Sequence, residues 1–182
     1  MMNKISHYYF AYGSNMNLRQ MQERCSSPTV LGIARLPGYR VDFYGDSAIW
    51  DGAQETVVPD RDTEVWGVLY ELSFFDCEQL DMYQDVRFDG TGPYFHYPVD
   101  VINTEERIFD ARIYKKDKLG EEMPPSTDYL NFIIQGAYEQ GLPEGYIEVL
   151  QNRMTKPASY AVPMVRKSKY SYMNVNCGDC GG

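Results

Sequence analysis

Tyr8-Tyr9-Phe10-Ala11-Tyr12-Gly13-Ser14-Asn15 is an aromatic, strand-like run that breaks abruptly into Gly-Ser-Asn. A helix-compatible segment, Leu18 to Arg24, follows it, and Asn17 is the predicted N-cap residue of that helix. Glycine permits a backbone bend that other residues resist, so main-chain N–H groups after the strand can converge on one point and bind an anion or oxyanion. On these residues alone an ordinary strand–turn–helix junction is the more economical interpretation, but the rest of the chain changes that balance.

The remaining pattern predicts an α+β fold, because many strands occur with few helices between them. Further strand-like runs occupy residues 30–35, 39–44, 55–58, 65–72, 95–102 and 107–114. The last two form a predicted hairpin with a four-residue loop at 103–106. Helices are predicted from a Ser73 cap to Tyr83, from Ser126 or Thr127 to a stop at Gly141, and over 144–151.

Length and charge limit the classes of partner. The 182 residues suit one domain at 1–151 and a basic C-terminal extension at 152–182, while the whole chain carries a net charge of −9. That charge argues against nucleic-acid binding. No segment has the apolar length of a membrane span, and no secretory signal is evident at the start, so we expect a cytoplasmic protein that binds no membrane.

Five short motifs, in order, resemble those of the γ-glutamylcyclotransferase superfamily, which has the AIG2-like fold. They are Tyr12-Gly13-Ser14-Asn15, Leu36-Pro37-Gly38-Tyr39-Arg40-Val41-Asp42-Phe43, Glu64-Val65-Trp66-Gly67-Val68-Leu69-Tyr70-Glu71-Leu72, Leu80-Asp81 and Gly136-Ala137-Tyr138-Glu139-Gln140-Gly141-Leu142-Pro143. The resemblance covers about residues 7–151 and implies a small mixed β-barrel flanked by helices.

The resemblance also implies a chemistry. Enzymes of this kind release 5-oxoproline from a γ-glutamyl amine or peptide when the substrate's α-amine attacks its own γ-carbonyl, a ring closure that needs orientation rather than a cofactor or metal. The expected small-molecule partner is therefore a γ-glutamyl compound. The resemblance implies a cradle for the carboxylate and the oxyanion, formed by Tyr9, Phe10, Ala11, Tyr12, Gly13 and Ser14. It also implies two phenols that line the pocket, those of Tyr94 and Tyr129.

One position departs from the family pattern. Where the family has its general-base glutamate, this chain has Gln84, followed by Asp85 in place of glycine. A glutamine amide has no useful basic site near neutral pH, so it cannot transfer the proton. Three explanations stay open: Asp85 or Asp89 substitutes as the acid, the protein binds its ligand without turnover, or Gln84 is an introduced change that inactivates the enzyme.

The C-terminal extension is the second departure. It ends in a Cys-x-x-Cys pair, Cys177 and Cys180, which resembles one half of a zinc site but is better explained as a disordered tail. The run at 160–165 is apolar enough to pack on the body as an extra strand. The sequence does not fix the oligomeric state and is compatible with a homodimer.

Overall fold

Five strands close into a mixed β-barrel, as the sequence resemblance predicts. The computed structural model describes residues 7–164, and within that range the elements are β1 (His7–Ala11), a 3₁₀ helix (Ser14–Met16), α1 (Leu18–Arg24), β2 (Thr29–Ser47), β3 (Gly52–Leu72), α2 (Phe74–Tyr83), β4 (Phe95–Asn103), β5 (Ile108–Lys115), α3 (Thr127–Glu139) and α4 (Glu144–Gln151). The α+β class is confirmed. No helix in this part of the chain is long and apolar enough to cross a membrane.

The barrel order is β1-β3-β2-β4-β5, and β1 completes it. Strand β1 runs antiparallel to β3, from His7 opposite Leu72 to Ala11 opposite Val68, and parallel to β5, where Tyr9 lies opposite Arg112. Gly67 makes the close approach of β1 to β3 feasible, because a Cβ there would collide with the Ala11 carbonyl oxygen. The C-terminal end of β1 is therefore fixed on both sides just before the chain bends at Gly13.

Two neighbouring strands of the barrel, β2 and β3, are longer than the sequence predicts. The separate strands expected at 30–35 and 39–44 are one strand, β2, and those expected at 55–58 and 65–72 are one strand, β3. Pro37-Gly38 suggests a turn, but Gly38, with φ of 78°, makes a bulge in β2 instead. Opposite that bulge, residues 60–63 of β3 protrude before the pairing resumes. The predicted β4–β5 hairpin is confirmed.

Helix caps fix the positions of α1, α2 and α3. The Asn17 side chain accepts from the Gln20 N–H, and Ser73 forms a reciprocal capping box with Asp76, as the sequence predicts. Asp76 also accepts from the Ser26 N–H at 2.7 Å, which holds the start of α2 against the residues that follow α1. Ser126 caps α3 by accepting from the Tyr129 N–H.

Residues 152–164 lie against the turn between β2 and β3. Lys156 Nζ is 3.0 Å from Asp51 Oδ1, and the Met164 N–H donates to the Ile49 carbonyl at 2.7 Å. The segment 160–164 packs on the body without strand structure, so the predicted extra strand is wrong over these residues. The pair formed by Cys177 and Cys180 lies outside the described residues.

Candidate functional site

The bend that follows β1, Gly13-Ser14-Asn15, is buried, and its polar side chains are held by hydrogen bonds. Ser14 and Asn15 expose 4% and 2% of their surface, and both accept hydrogen bonds from the Gln20 amide, at 2.9 and 3.0 Å. Arg24 donates a further bond to Asn15 Oδ1 at 2.7 Å. Helix α1 therefore supplies the side chains that hold the bend, which explains why the strand and the helix follow each other so closely.

Aromatic side chains fix the same bend from the barrel side. The Tyr9 hydroxyl accepts from Asn15 Nδ2 at 2.9 Å, and the Tyr70 hydroxyl donates to the Asn15 carbonyl at 3.1 Å. Tyr12 donates to the Tyr114 carbonyl of β5. Phe10 and Ala11 are fully buried in the core between them. The structure thus brings the sequence-predicted cradle residues together at one end of the barrel.

A carboxylate that the sequence analysis did not anticipate lies against the bend. Glu55 of β3 accepts a hydrogen bond from the Ser14 main-chain N–H, and its carboxylate occupies the space that a Cβ on Gly13 would need. Burial raises the pKa of Glu55, although the Tyr129 hydroxyl and the Lys116 ammonium both act to lower it. The bend is consequently not an empty cradle in this structure, because a carboxylate oxygen already uses one of its donors.

Two predicted pocket tyrosines converge on Glu55. Tyr129 at the start of α3 donates its hydroxyl to Glu55 Oε2, and Tyr94 donates to the Glu55 carbonyl oxygen at 2.8 Å. Burial raises the pKa of both phenols, so both remain protonated donors. Trp50 stacks on the Tyr129 ring at 4.3 Å between centroids and fixes its plane. The Lys116 ammonium lies over the Tyr94 ring, 4.7 Å from its centroid.

The acidic alternatives at the end of α2 lie elsewhere. Gln84 is the half-buried C-cap residue of α2. Asp85 pairs with Arg87 at 2.8 Å, and Asp89 is exposed and accepts from the Thr91 N–H and hydroxyl. These Thr91 bonds hold the pKa of Asp89 below its usual value. Among residues 7–164, both aspartates therefore make their contacts in surface turns, whereas Glu55 contacts the bend.

A cleft of about 460 Å³ borders the bend on the side of α1. Its lining residues are Gln20, Glu23, Arg24, Ile49, Met82, Tyr83, Pro163 and Met164. Arg24 connects the cleft to the bend, because it bonds to Asn15 and lies over the Tyr83 ring at 5.0 Å. Burial lowers the pKa of Arg24, and the nearby Tyr9, Tyr129 and Glu55 offset only part of that lowering. A cation at this position can hold a carboxylate.

Another groove, of about 280 Å³, is lined by Asp42, Met123, Arg153 and neighbouring residues. Its cation, Arg153, already contacts Asp42 Oδ1 at 3.2 Å and donates to the Val41 carbonyl. Of the described residues that line this groove, none bonds to the bend, whereas Gln20 and Arg24 of the cleft both do. The cleft beside Arg24 is therefore the better candidate for a small anionic ligand.

Sequence reasoning missed Glu55, Lys116 and Arg24. A signal for Glu55 was present: it shares a strand face with Ala53 and Val57, which are both fully buried. A charged residue between two core positions of a strand indicates either a paired structural charge or a functional group. Lys116 and Arg24 gave no comparable signal, because Arg24 ends α1, Lys116 directly follows β5, and cations at such positions are usually solvated.

Comparisons with known proteins agree with the fold and the motifs. The AIG2-like family model matches residues 64–150. A Homo sapiens protein named gamma-glutamylcyclotransferase is 33% identical over 150 residues, which are 80% of this chain and 78% of the relative. The Bos taurus protein of that name is 32% identical over 151 residues, 81% and 78% of the two chains. A solved structure described as a gamma-glutamyl cyclotransferase superposes with a TM-score of 0.80 at 32% identity, covering 86% of this chain and 93% of the other.

Proposed function

This chain belongs to the γ-glutamylcyclotransferase family, and we propose that it is an enzyme that releases 5-oxoproline from a γ-glutamyl amine or peptide. In this reaction the substrate's α-amine attacks its own γ-carbonyl carbon, and the amine on the other side of that carbonyl leaves. In reaction class the protein is then an amine γ-lyase. A small γ-glutamyl compound as substrate and a cytoplasmic location are parts of the same proposal.

The residues at and around the bend suit three tasks of this reaction: holding the α-carboxylate, stabilising the oxyanion and excluding water. The Arg24 guanidinium, on the cleft and bonded to Asn15, is placed to hold the substrate's α-carboxylate. The main-chain N–H of Ser14 is a donor for the γ-carbonyl oxygen as negative charge develops on it. The Tyr94 and Tyr129 rings, both buried, exclude water and keep the substrate folded over for ring closure.

The observation that carries the proposal is the similarity to gamma-glutamylcyclotransferases over 80% of the chain. The alternative of ligand binding without turnover is not favoured, although Gln84 stands where the family has its acid. The test incubates the full chain with a panel of γ-glutamyl dipeptides and γ-glutamyl amines. Released 5-oxoproline and free amine are measured together by mass spectrometry and should appear in equal amounts.

N-acetyl versions of the same substrates provide the matched control. They keep the amide and the side chain but lack a nucleophilic α-amine, so they should release no amine at all. Equal release from free and acetylated substrates would indicate ordinary hydrolysis and contradict the proposal. Absence of 5-oxoproline across the whole panel would contradict it as well.

A further inference from the structure

We propose that Glu55, and not a residue at the end of α2, carries the proton in this enzyme. The inference rests on the proposed function and names the acid that the reaction needs. Gln84 cannot fill this role, and Asp85 and Asp89 are engaged with Arg87 and Thr91 at the surface. The described residues place the carboxylate of Glu55 directly against Gly13 and Ser14.

The contacts of Glu55 are those of a positioned acid–base group. Tyr129 donates to Oε2 and Ser14 donates its main-chain N–H, while the Glu55 carbonyl oxygen is held by Tyr94. Both the strand and the side chain are therefore fixed. Glu55 also keeps part of its surface accessible. A proton-transfer group requires both features, a defined position and access to substrate.

The electrostatic surroundings favour the same role. Burial raises the pKa of Glu55, which increases its strength as a base, and the nearby Lys116 ammonium acts in the opposite direction by favouring the ionised form. An incoming α-ammonium would pair with this carboxylate. The γ-carbonyl oxygen would then take over the Ser14 N–H that Glu55 uses in the free protein, while Tyr129 keeps its bond to Oε2.

The proton balance of the step is complete without a co-reactant. The Glu55 carboxylate accepts one proton from the α-ammonium, and the nitrogen lone pair forms the new C–N bond to the γ-carbonyl carbon. The carboxylic acid returns that proton to the amide nitrogen as the old C–N bond breaks. The ring nitrogen loses its second extra proton to solvent and the free amine gains one from solvent, which leaves 5-oxoproline, an ammonium ion and the original carboxylate.

The test compares Glu55→Gln with the wild-type chain and with Glu64→Gln, which makes the same change on the same strand at a residue paired with Arg35. Substrates are those of the γ-glutamyl panel. Glu55→Gln should lower kcat by about 10²–10⁴-fold, the usual value of general acid–base catalysis, with KM changed less than about 5-fold. Glu64→Gln should retain wild-type kcat. The acid limb of the wild-type kcat/KM profile should be absent from the residual activity of Glu55→Gln.

The variant Gln84→Glu separates the failure of this inference from that of the proposed function. Activity of Glu55→Gln within about 3-fold of wild type, or above it, would overturn the role of Glu55 and leave the proposed function intact. Activity that appears only when Gln84→Glu is introduced would do the same. If neither the wild type nor Gln84→Glu forms 5-oxoproline, both proposals fall. A cooperative thermal unfolding transition for Glu55→Gln shows that a loss of kcat is not a loss of fold.

Discussion

At the scale of single residues, Glu55 should make the protein less stable as the pH rises. Burial raises the pKa of this carboxyl above its value in the unfolded chain. A group of this kind contributes its full stability below the unfolded pKa of about 4.3, and that contribution is lost as the pH rises through the folded pKa. Ionisation of Glu55 at the bend thus costs stability, a trade-off that is common at functional sites.

The corresponding prediction concerns Glu55→Gln. The variant should melt within a degree or so of wild type near pH 4, where the wild-type side chain is protonated too. At pH 7 it should melt higher, since each 1 kcal/mol relieved raises the Tm of a domain of this size by roughly 2–4 °C. Thermal scans from pH 4 to pH 8 test this. A melting difference that does not vary with pH would contradict the assignment of a raised pKa.

Arg24 should affect substrate binding more than the chemical step. A charged hydrogen bond contributes about 1.5–3 kcal/mol, so Arg24→Gln should raise KM by roughly 10–100-fold for γ-glutamyl substrates, with a smaller change in kcat. Arg19→Gln is the matched control, because Arg19 lies on the same helix with 88% of its side chain exposed and pairs only with Glu23 among the contacts of residues 7–164. Equal KM values for the two variants would exclude Arg24 as the carboxylate partner.

The residues of the site differ in how well the sequence could predict them. Tyr129 was expected in the pocket because of the family resemblance, and local capping by Ser126 set its place at the start of α3; its hydroxyl donates to Glu55 beside the bend. Glu55 could not be placed by local rules. Its contact with Gly13 depends on how β3 pairs with its neighbours across the register shift between Pro37 and Tyr39 of β2, and such a bulge is not encoded by a short motif.

At the scale of elements, the approach of α3 to the bend depends on one glycine. A Cβ on Gly136 would lie 2.7 Å from the Asn17 nitrogen and 3.0 Å from the Met16 carbonyl carbon, both of which are backbone atoms that cannot swing away. Because Tyr129 is on the same helix, this contact also sets the distance between its hydroxyl and Glu55. Helix α3, which positions the Tyr129 phenol, is therefore held by the backbone contact at Gly136, two turns further along the helix.

Gly136→Ala should destabilise the protein by about 1–3 kcal/mol, as overpacking against fixed atoms usually does. Gly145→Ala provides the control, since Gly145 lies in α4 and nothing stands within 4 Å of the added methyl group. That change should be neutral or stabilise the protein by up to about 1 kcal/mol, because alanine has the higher helix propensity. Urea unfolding measures both. Equal effects of the two substitutions would mean that α3 does not approach the bend closely.

Element type was easier to predict from sequence than element length. Capping residues specified the starts of α1, α2 and α3, because each cap is a hydrogen bond within a few residues of chain. The single strand β2 was divided in two at Pro37-Gly38, a dipeptide typical of turns. Pairing with β3 resumes on both sides of that point, so tertiary contacts and not local preference decide that the strand continues.

At the scale of the whole molecule, the segment 152–164 completes one wall of the cleft. Asp51 holds this segment: it contacts Lys156 Nζ at 3.0 Å and accepts from the Ser159 N–H, and these bonds keep the pKa of Asp51 below its usual value. The Tyr160 hydroxyl donates to the Ala48 carbonyl at 2.8 Å. Pro163 and Met164 then line the same cleft as Arg24.

Asp51→Asn should therefore weaken both stability and substrate binding. Asp51 has φ of 50°, a conformation that asparagine also tolerates, so the substitution removes the charge without straining the backbone. Because a lowered pKa gives stability above the unfolded value of about 3.9, the variant should melt below wild type at pH 7, and the gap should close as the pH falls through the folded pKa. KM should rise a few-fold as the cleft wall loosens, while kcat changes little. Asp62→Asn, an exposed change on β3, is the control and should alter neither the melting temperature nor KM. An equal KM for Asp51→Asn and wild type would show that the segment 152–164 forms no part of the binding site.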